Sequence, residues 1–255
     1  MNAPMNEGRR IRRAHFAEVD STMEAARHEV ARAAASEIPS SADFVLVTAD
    51  AQTAGRGTRG RPWHSPVGNL YLTLAVPRRL LPPARLGLFP LEAGVALWDA
   101  VAERLAPGAR AALRLKWPND LLWEGRKAAG MLIEASGEHV FTGIGLNIAE
   151  APPVTDGGTP SARLADAGAG EDAGGRIAEA FADHLRARLE GDGAQISPET
   201  LLDAWRERAS WDRAFRLRDR AGTPIVLPLD INSDGHLKVR HGDGSEEWLV
   251  SDYLA

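Results

Sequence analysis

The chain has 255 residues, 44% of them hydrophobic and 25% charged, with a formal net charge of −5. It contains no cysteine, which excludes a disulfide framework, a cysteinyl zinc site and a thiol nucleophile, and its acidic balance suits nucleic acid poorly, since phosphate binding needs a concentrated basic surface. No apolar stretch approaches the roughly 18 residues that span a bilayer, and the start of the chain lacks a signal-peptide core, so no membrane association and a cytoplasmic location are expected.

In chain order, residues 1–17 read as a polar, arginine-containing tail. Ser21 with Glu24 three residues on has the form of a capping box, opening an alanine-rich helix to Glu37 that Pro39 closes. The apolar run 44–47 and the alternating run 69–76 predict strands, joined by a loop rich in glycine, arginine and proline. Between Gly87 and Leu105 the residues Leu91, Val95, Trp98, Val101 and Leu105 recur at helical spacing, predicting a helix with one face on a sheet. Residues 113–115 begin a short strand, and 131–136 with 139–148 predict a hairpin. Residues 151–175, rich in Gly, Ala, Pro and Asp, read as an exposed, mobile connection. Ile177, Phe181, Leu185 and Leu189 mark a further helix, and Ser197-Pro198 starts another that carries Leu201, Leu202 and Trp205. From Trp211 four short apolar runs at 214–218, 225–231, 236–240 and 247–250, separated by Gly/Asp turns, predict a small antiparallel barrel. The expected division is a tail over 1–17, an α/β (α+β) domain over 18–210 and a barrel over 211–255.

Four segments carry the chemistry. Gln52 to Trp63 packs three glycines and three arginines into residues 55–61, a backbone able to wrap an anion while guanidinium groups neutralise it; Trp63 offers a flat face for a purine. A solvated basic surface loop is the plainer reading. In residues 114–120, Pro118 stiffens a turn that holds Lys116, Asn119 and Asp120 together, a set suited to a phosphate and its Mg²⁺, although an Asn-Asp turn is commonly chosen for backbone bonding alone. Lys127 precedes an apolar strand and either enters a pocket or is solvated. Asn147 is the one strongly polar side chain of the run Gly-Ile-Gly-Leu-Asn-Ile at 143–148 and has a turn amide as its plain alternative.

In this order, after Asp-Ser-Thr at 20–22, these segments closely resemble the catalytic domain of biotin protein ligases, over residues 18–150 by motif and more loosely to the C-terminus. The resemblance implies a mixed sheet with packed helices followed by an SH3-like barrel. It implies an enzyme that activates biotin with ATP and Mg²⁺ to biotinyl-5′-adenylate and transfers biotin to a lysine of the biotin carboxyl carrier protein domain of a carboxylase. Ser21, Thr22, Met23, Gln52, Arg56, Gly57, Thr58, Lys127 and Gly130 would line the biotin site; Arg59, Arg61, Trp63, Lys116, Asn119 and Asn147 would take the nucleotide. Arg56, Lys116, Asp120 and Lys127 would serve catalysis, with Asp120 also as a metal ligand and as the group that positions the acceptor amine. The loop departs from the family pattern at Thr58, where a second arginine commonly stands. A lid lacking that guanidinium should open more readily, unless Arg59 or Arg61 fills the place or the Thr58 hydroxyl caps the loop. A lipoate-type ligase and a non-catalytic biotin- or nucleotide-binding protein are the alternatives; the related lipoyl transferase needs the cysteine that this chain lacks. With few residues before Ser21, a monofunctional ligase without a DNA-reading domain is expected. No DNA partner is expected, and a homodimer is left open.

Overall fold

Alternating and continuous apolar runs place hydrophobic side chains on both faces of one central sheet, and helices cover them. The computed structural model describes residues 10–35, 44–152, 159–170, 172–190, 193, 196–217 and 221–250. Its elements are β1 (Ile11–Val19), α1 (Thr22–Ala34), β2 (Phe44–Gln52), β3 (Leu70–Pro77), α2 (Pro83–Leu86), α3 (Phe89–Ala102), α4 (Pro107–Arg110), β4 (Leu113–Lys116), β5 (Asp120–Trp123), β6 (Arg126–Ser136) and β7 (His139–Leu146). There follow α5 (Ala173–Leu189), α6 (Pro198–Arg208), β8 (Phe215–Arg216), β9 (Ile225–Ile231), β10 (Leu237–His241) and β11 (Glu246–Leu249). Strands β1 to β7 form a seven-stranded sheet in the order β1-β2-β3-β7-β6-β5-β4, with β1 parallel to β2 and the other pairs antiparallel. Strands β8 to β11 form a four-stranded antiparallel sheet.

Helices α3, α5 and α6 pack on one face of the large sheet. The helical stripe of α5, Ile177, Phe181, Leu185 and Leu189, is fully buried there. The hydrophobic cluster continues through Trp205 into Phe215, Val226, Ile231, Val239 and Leu249, so the C-terminal sheet shares its core with the large domain. On the opposite face α1 covers β2, β3 and β7 through a smaller cluster of Met23, Ala26, Val45, Val47 and Phe141. That helix is short, and the rest of the face is left open beside it.

Several expectations need correction. The tail expected over residues 1–17 contains most of β1, an edge strand whose largely polar residues left its pairing unread. Ser21 caps α1 by accepting from the Met23 N–H at 3.2 Å, but Glu24 does not act as the second half of a capping box and pairs with Arg27 and Arg56. The expected end of that helix at Glu37 and Pro39 lies outside the described residues. The connection expected to be exposed over 151–175 instead buries Ala162, Leu164, Ala167 and Ala169, because small apolar side chains pack closely where composition alone suggests a loop; residues 153–158 and 171 are outside the described set.

Candidate active site

The open part of the sheet's α1 face is the floor of a cleft of about 750 Å³. Strand register sets a row across it: Lys116 opposite Asp120, Asp120 opposite Gly130, and Gly130 opposite Gly145. In the next row Leu132 lies opposite Gly143 and Gly143 opposite Thr73. Side-chain-free positions give the floor its depth. A Cβ at Gly145 would overlap the Trp63 indole, and one at Gly130 would stand 3.0 Å from its Cζ3.

Simple alternation along β6 would put Lys127 and Gly130 on opposite faces. A register shift between Leu121 and Leu122 prevents this: Leu121 pairs with Ala129 but Leu122 with Lys127, so Ala128 and Ala129 both turn into the core. Lys127 is thereby aimed into the cleft, with Nζ 2.5 Å from Asp120 Oδ1. Lys116 meets the other oxygen, Nζ to Oδ2 at 3.5 Å, and donates to Thr159 Oγ1 at 3.0 Å. Burial alone would raise the Asp120 pKa, but the charges and hydrogen bonds of Lys127 and Lys116 hold it below the usual carboxylate value. The group is therefore ionised between two ammonium groups.

Beside this row lies a neutral polar chain. The Thr73 hydroxyl donates to Thr22 Oγ1 at 3.0 Å, and Thr22 donates to Gln52 Oε1 through its N–H at 2.9 Å and its hydroxyl at 3.2 Å. Gln52 Nε2 donates to Ser65 Oγ at 3.0 Å, which donates to the Trp63 carbonyl at 2.9 Å. Ser21, Met23 and Gly57 also line the cleft, so the residues expected around a small polar ring system are brought together.

The Gly/Arg loop closes one side. Arg56 donates to Glu24 Oε1 at 2.6 Å, and that hydrogen bond, opposed by burial and reinforced by Arg27, lowers the Glu24 pKa. Arg61 turns back on the loop, with Nε 3.4 Å from the Thr58 carbonyl and Nη2 3.4 Å from its hydroxyl. Arg59 adopts a left-handed conformation, φ 61°, at the exposed loop tip and does not line the cleft. Trp63 and Gly130, expected at the nucleotide and biotin ends respectively, touch each other, and Lys127 Nζ lies 5.4 Å from the indole centroid.

Two amides expected to face a nucleotide line the cleft and also hold the scaffold. Asn119 donates to the Met131 carbonyl at 2.6 Å, tying the β4–β5 turn to β6, and Asn147 donates to the Lys127 carbonyl at 3.4 Å. Sequence reasoning missed Thr73, Ser65 and Thr159. Thr73 had a signal, as the hydroxyl amid the leucines of β3; Thr159 was hidden in a segment read as a free connection. That segment is fastened to the site, for Lys127 N–H donates to the Pro160 carbonyl at 2.6 Å and Ala162 N–H to the Lys127 carbonyl at 2.9 Å. The metal assignment of Asp120 does not fit. Among the described residues it is the one carboxylate lining the cleft, no cluster of three His, Cys, Asp or Glu side chains is suited to a metal, and its oxygens face two cations.

Residues 21–148 match the family described as biotin/lipoate A/B protein ligases. The biotin–[acetyl-CoA-carboxylase] ligase of Mycobacterium tuberculosis is 38% identical over 76% of this chain and 73% of its own length. The ligase of the same name from Paracoccus denitrificans is 36% identical over 71% and 73%. A crystal structure of biotin protein ligase from Leishmania major in complex with biotinyl-5-AMP superposes with a TM-score of 0.70 at 33% identity, covering 93% of this chain and 98% of that one. The biotin protein ligase from Aquifex aeolicus in complex with biotin and ATP reaches the same TM-score, 0.70, at 21% identity, and shares the fold over 96% of this chain and 97% of its own. With the family match spanning both lysines, Asp120 and the polar chain, and relatives above 30% identity over most of both sequences, the chain belongs to the biotin/lipoate A/B protein ligase family.

Proposed function

We propose that the chain is a biotin protein ligase: it makes biotinyl-5′-adenylate and pyrophosphate from biotin and ATP, then transfers biotin to a lysine of a biotin carboxyl carrier protein domain. The observation that supports this most is the Lys116–Asp120–Lys127 row beside the Thr73–Thr22–Gln52–Ser65 chain, two ammonium groups next to amide and hydroxyl partners in one cleft. Both substrates of the first step are anions, and their approach is opposed unless cations lie between them. Lys127 and Lys116 supply those cations at the reacting end, while Thr22, Gln52 and Ser21 suit the donors and acceptor of a ureido ring.

A biotin carboxylate oxygen bonds to the α-phosphorus as the bond to the pyrophosphate oxygen breaks. Asp120 acts as a positioning residue, since its ionised oxygens hold both ammonium groups in the row. Mg²⁺ belongs to the substrate, bound by the nucleotide phosphates, and no metal ligand is assigned to the chain. The product is a mixed anhydride that water destroys, so the Gly/Arg loop, tied to α1 through Arg56 and Glu24, serves as a cover. In the second step the free amine of the carrier lysine attacks the acyl carbon, the bond to AMP breaks, and the surplus proton leaves to water.

Incubating the purified protein with ATP, labelled biotin and a carrier domain tests this reading: covalent label on the carrier and biotin-dependent ATP–pyrophosphate exchange are expected, and the absence of both rejects it. In the same assay Lys127→Ala is expected to lose biotin affinity or adenylate formation while staying folded. Lys116→Ala should raise the ATP requirement more than the biotin requirement. The reverse pattern would exchange the two ends of the site.

A further inference from the structure

We infer that Phe215, on the C-terminal sheet, is a positioning residue for Lys116, so that the small sheet completes the nucleotide end of the cleft; this rests on the reading of Lys116 as an ATP-binding group. The Lys116 side chain is only 1% exposed and its Nζ lies 5.0 Å from the centroid of the Phe215 ring, itself buried. The ammonium also meets two oxygens, Asp120 Oδ2 and Thr159 Oγ1. An aromatic face attracts a cation without fixing the direction of any one N–H, and the attraction strengthens where water is excluded. The ring thus holds the charge in place while leaving its donors for oxygen partners. A leucine of similar bulk would fill the space without a comparable electrostatic pull.

The ring's own place is set by the C-terminal sheet. Phe215 pairs with Val226 in β9. The strand and turn that carry Lys116 are gripped by the same part of the chain: Ser210 N–H donates to the Leu115 carbonyl at 2.9 Å, Leu115 bridges Ala209, and Trp117 Nε1 donates to the Gly235 carbonyl at 2.9 Å. Ring and lysine are therefore fixed in one frame, and a shift of the small sheet would move the ring off the ammonium.

The test is calorimetric binding of α,β-methylene-ATP, with and without biotin, to full-length wild type, Phe215→Leu, Phe215→Tyr and the same changes in a Lys116→Met background. Phe215→Leu is expected to weaken the nucleotide analogue about tenfold, within the three- to thirtyfold range of a buried cation–π contact, with biotin affinity changed less than about twofold. Phe215→Tyr should restore binding, and Phe215→Leu should have no further effect once Lys116 is Met. Equal nucleotide affinity in a folded Phe215→Leu protein overturns the proposal, as does an equal loss for biotin and nucleotide, no rescue by tyrosine, or an undiminished loss without the lysine. A wild type that binds no nucleotide overturns the proposal together with the reading of Lys116. A wild type that binds nucleotide but does not label a carrier overturns only the proposed function.

Discussion

Asp120 keeps its charge in a place where burial opposes it, because two ammonium groups face it. Its folded-state pKa is depressed, so its stabilising contribution is fully present above the ordinary value of 3.8 and is lost as the pH falls through the folded-state value. Asp120→Asn leaves Lys116 buried without its carboxylate, and at neutral pH the loss should be about 3–5 kcal/mol, as for other broken buried pairs. Urea unfolding of both proteins in steps from neutral to acid should show the difference shrinking, and a difference constant across that range would reject the assignment. Thr142 presents the opposite case: its hydroxyl is buried on β7 with no hydrogen-bond partner among the described residues. Thr142→Val removes that unsatisfied group at nearly constant shape and should stabilise the fold by about 1 kcal/mol, read from the denaturation midpoint. A less stable variant would mean that the hydroxyl does have a partner.

At the scale of elements, the Gly/Arg loop is the part whose behaviour follows most directly from its own contacts. Arg61 lies on the Thr58 carbonyl and hydroxyl, so the loop is tied to itself at the position where a second arginine commonly stands. Thr58→Arg should therefore change release of preformed biotinyl-adenylate by less than about threefold, whereas Arg61→Ala should speed it several-fold, since about 1.4 kcal/mol is a factor of ten and these contacts are long and partly solvated. A chase with unlabelled biotin and ATP measures both, and a tenfold slower release from Thr58→Arg would favour a lid that truly lacks a contact. Elements with strong periodicity were legible in the sequence: α3, α5, α6 and the β6–β7 hairpin follow from spaced apolar residues, and the motifs around Gln52, Lys116 and Lys127 named side chains that share one cleft. β1 was not legible, because an edge strand with arginines at 12 and 13 has little apolar pattern to read. Nor could spacing reveal that Lys127 faces the cleft. That depends on the extra residue at Ala128, which only pairing with β5 defines. Asn119 and Asn147 do line the cleft, but motif position could not show that each also donates to a backbone carbonyl of β6.

For the whole molecule, the continuous core from α3 through Trp205 to Val239 predicts that the two sheets unfold together. Tryptophan fluorescence and far-ultraviolet circular dichroism should give coincident transitions, and two separated transitions would show that the small sheet is an independent unit. Biotin with ATP, each at about a hundred times its Kd, should raise stability by about 2.7 kcal/mol or more, visible as a higher Tm. The formal charge of −5 also predicts no sequence-specific gel shift with duplex DNA at physiological salt, with or without ligands. The joining of Lys116 to Phe215 has a further consequence in time. A ribosome adding roughly 5–20 residues per second makes the lysines seconds before it makes the ring. During that interval the growing polypeptide already carries the groups that attract biotin and ATP, but the wall that steadies Lys116 does not yet exist. An unfinished chain is thus a poor maker of a reactive acyl donor, and the site gains its full grip on the nucleotide only once the last strands have been added.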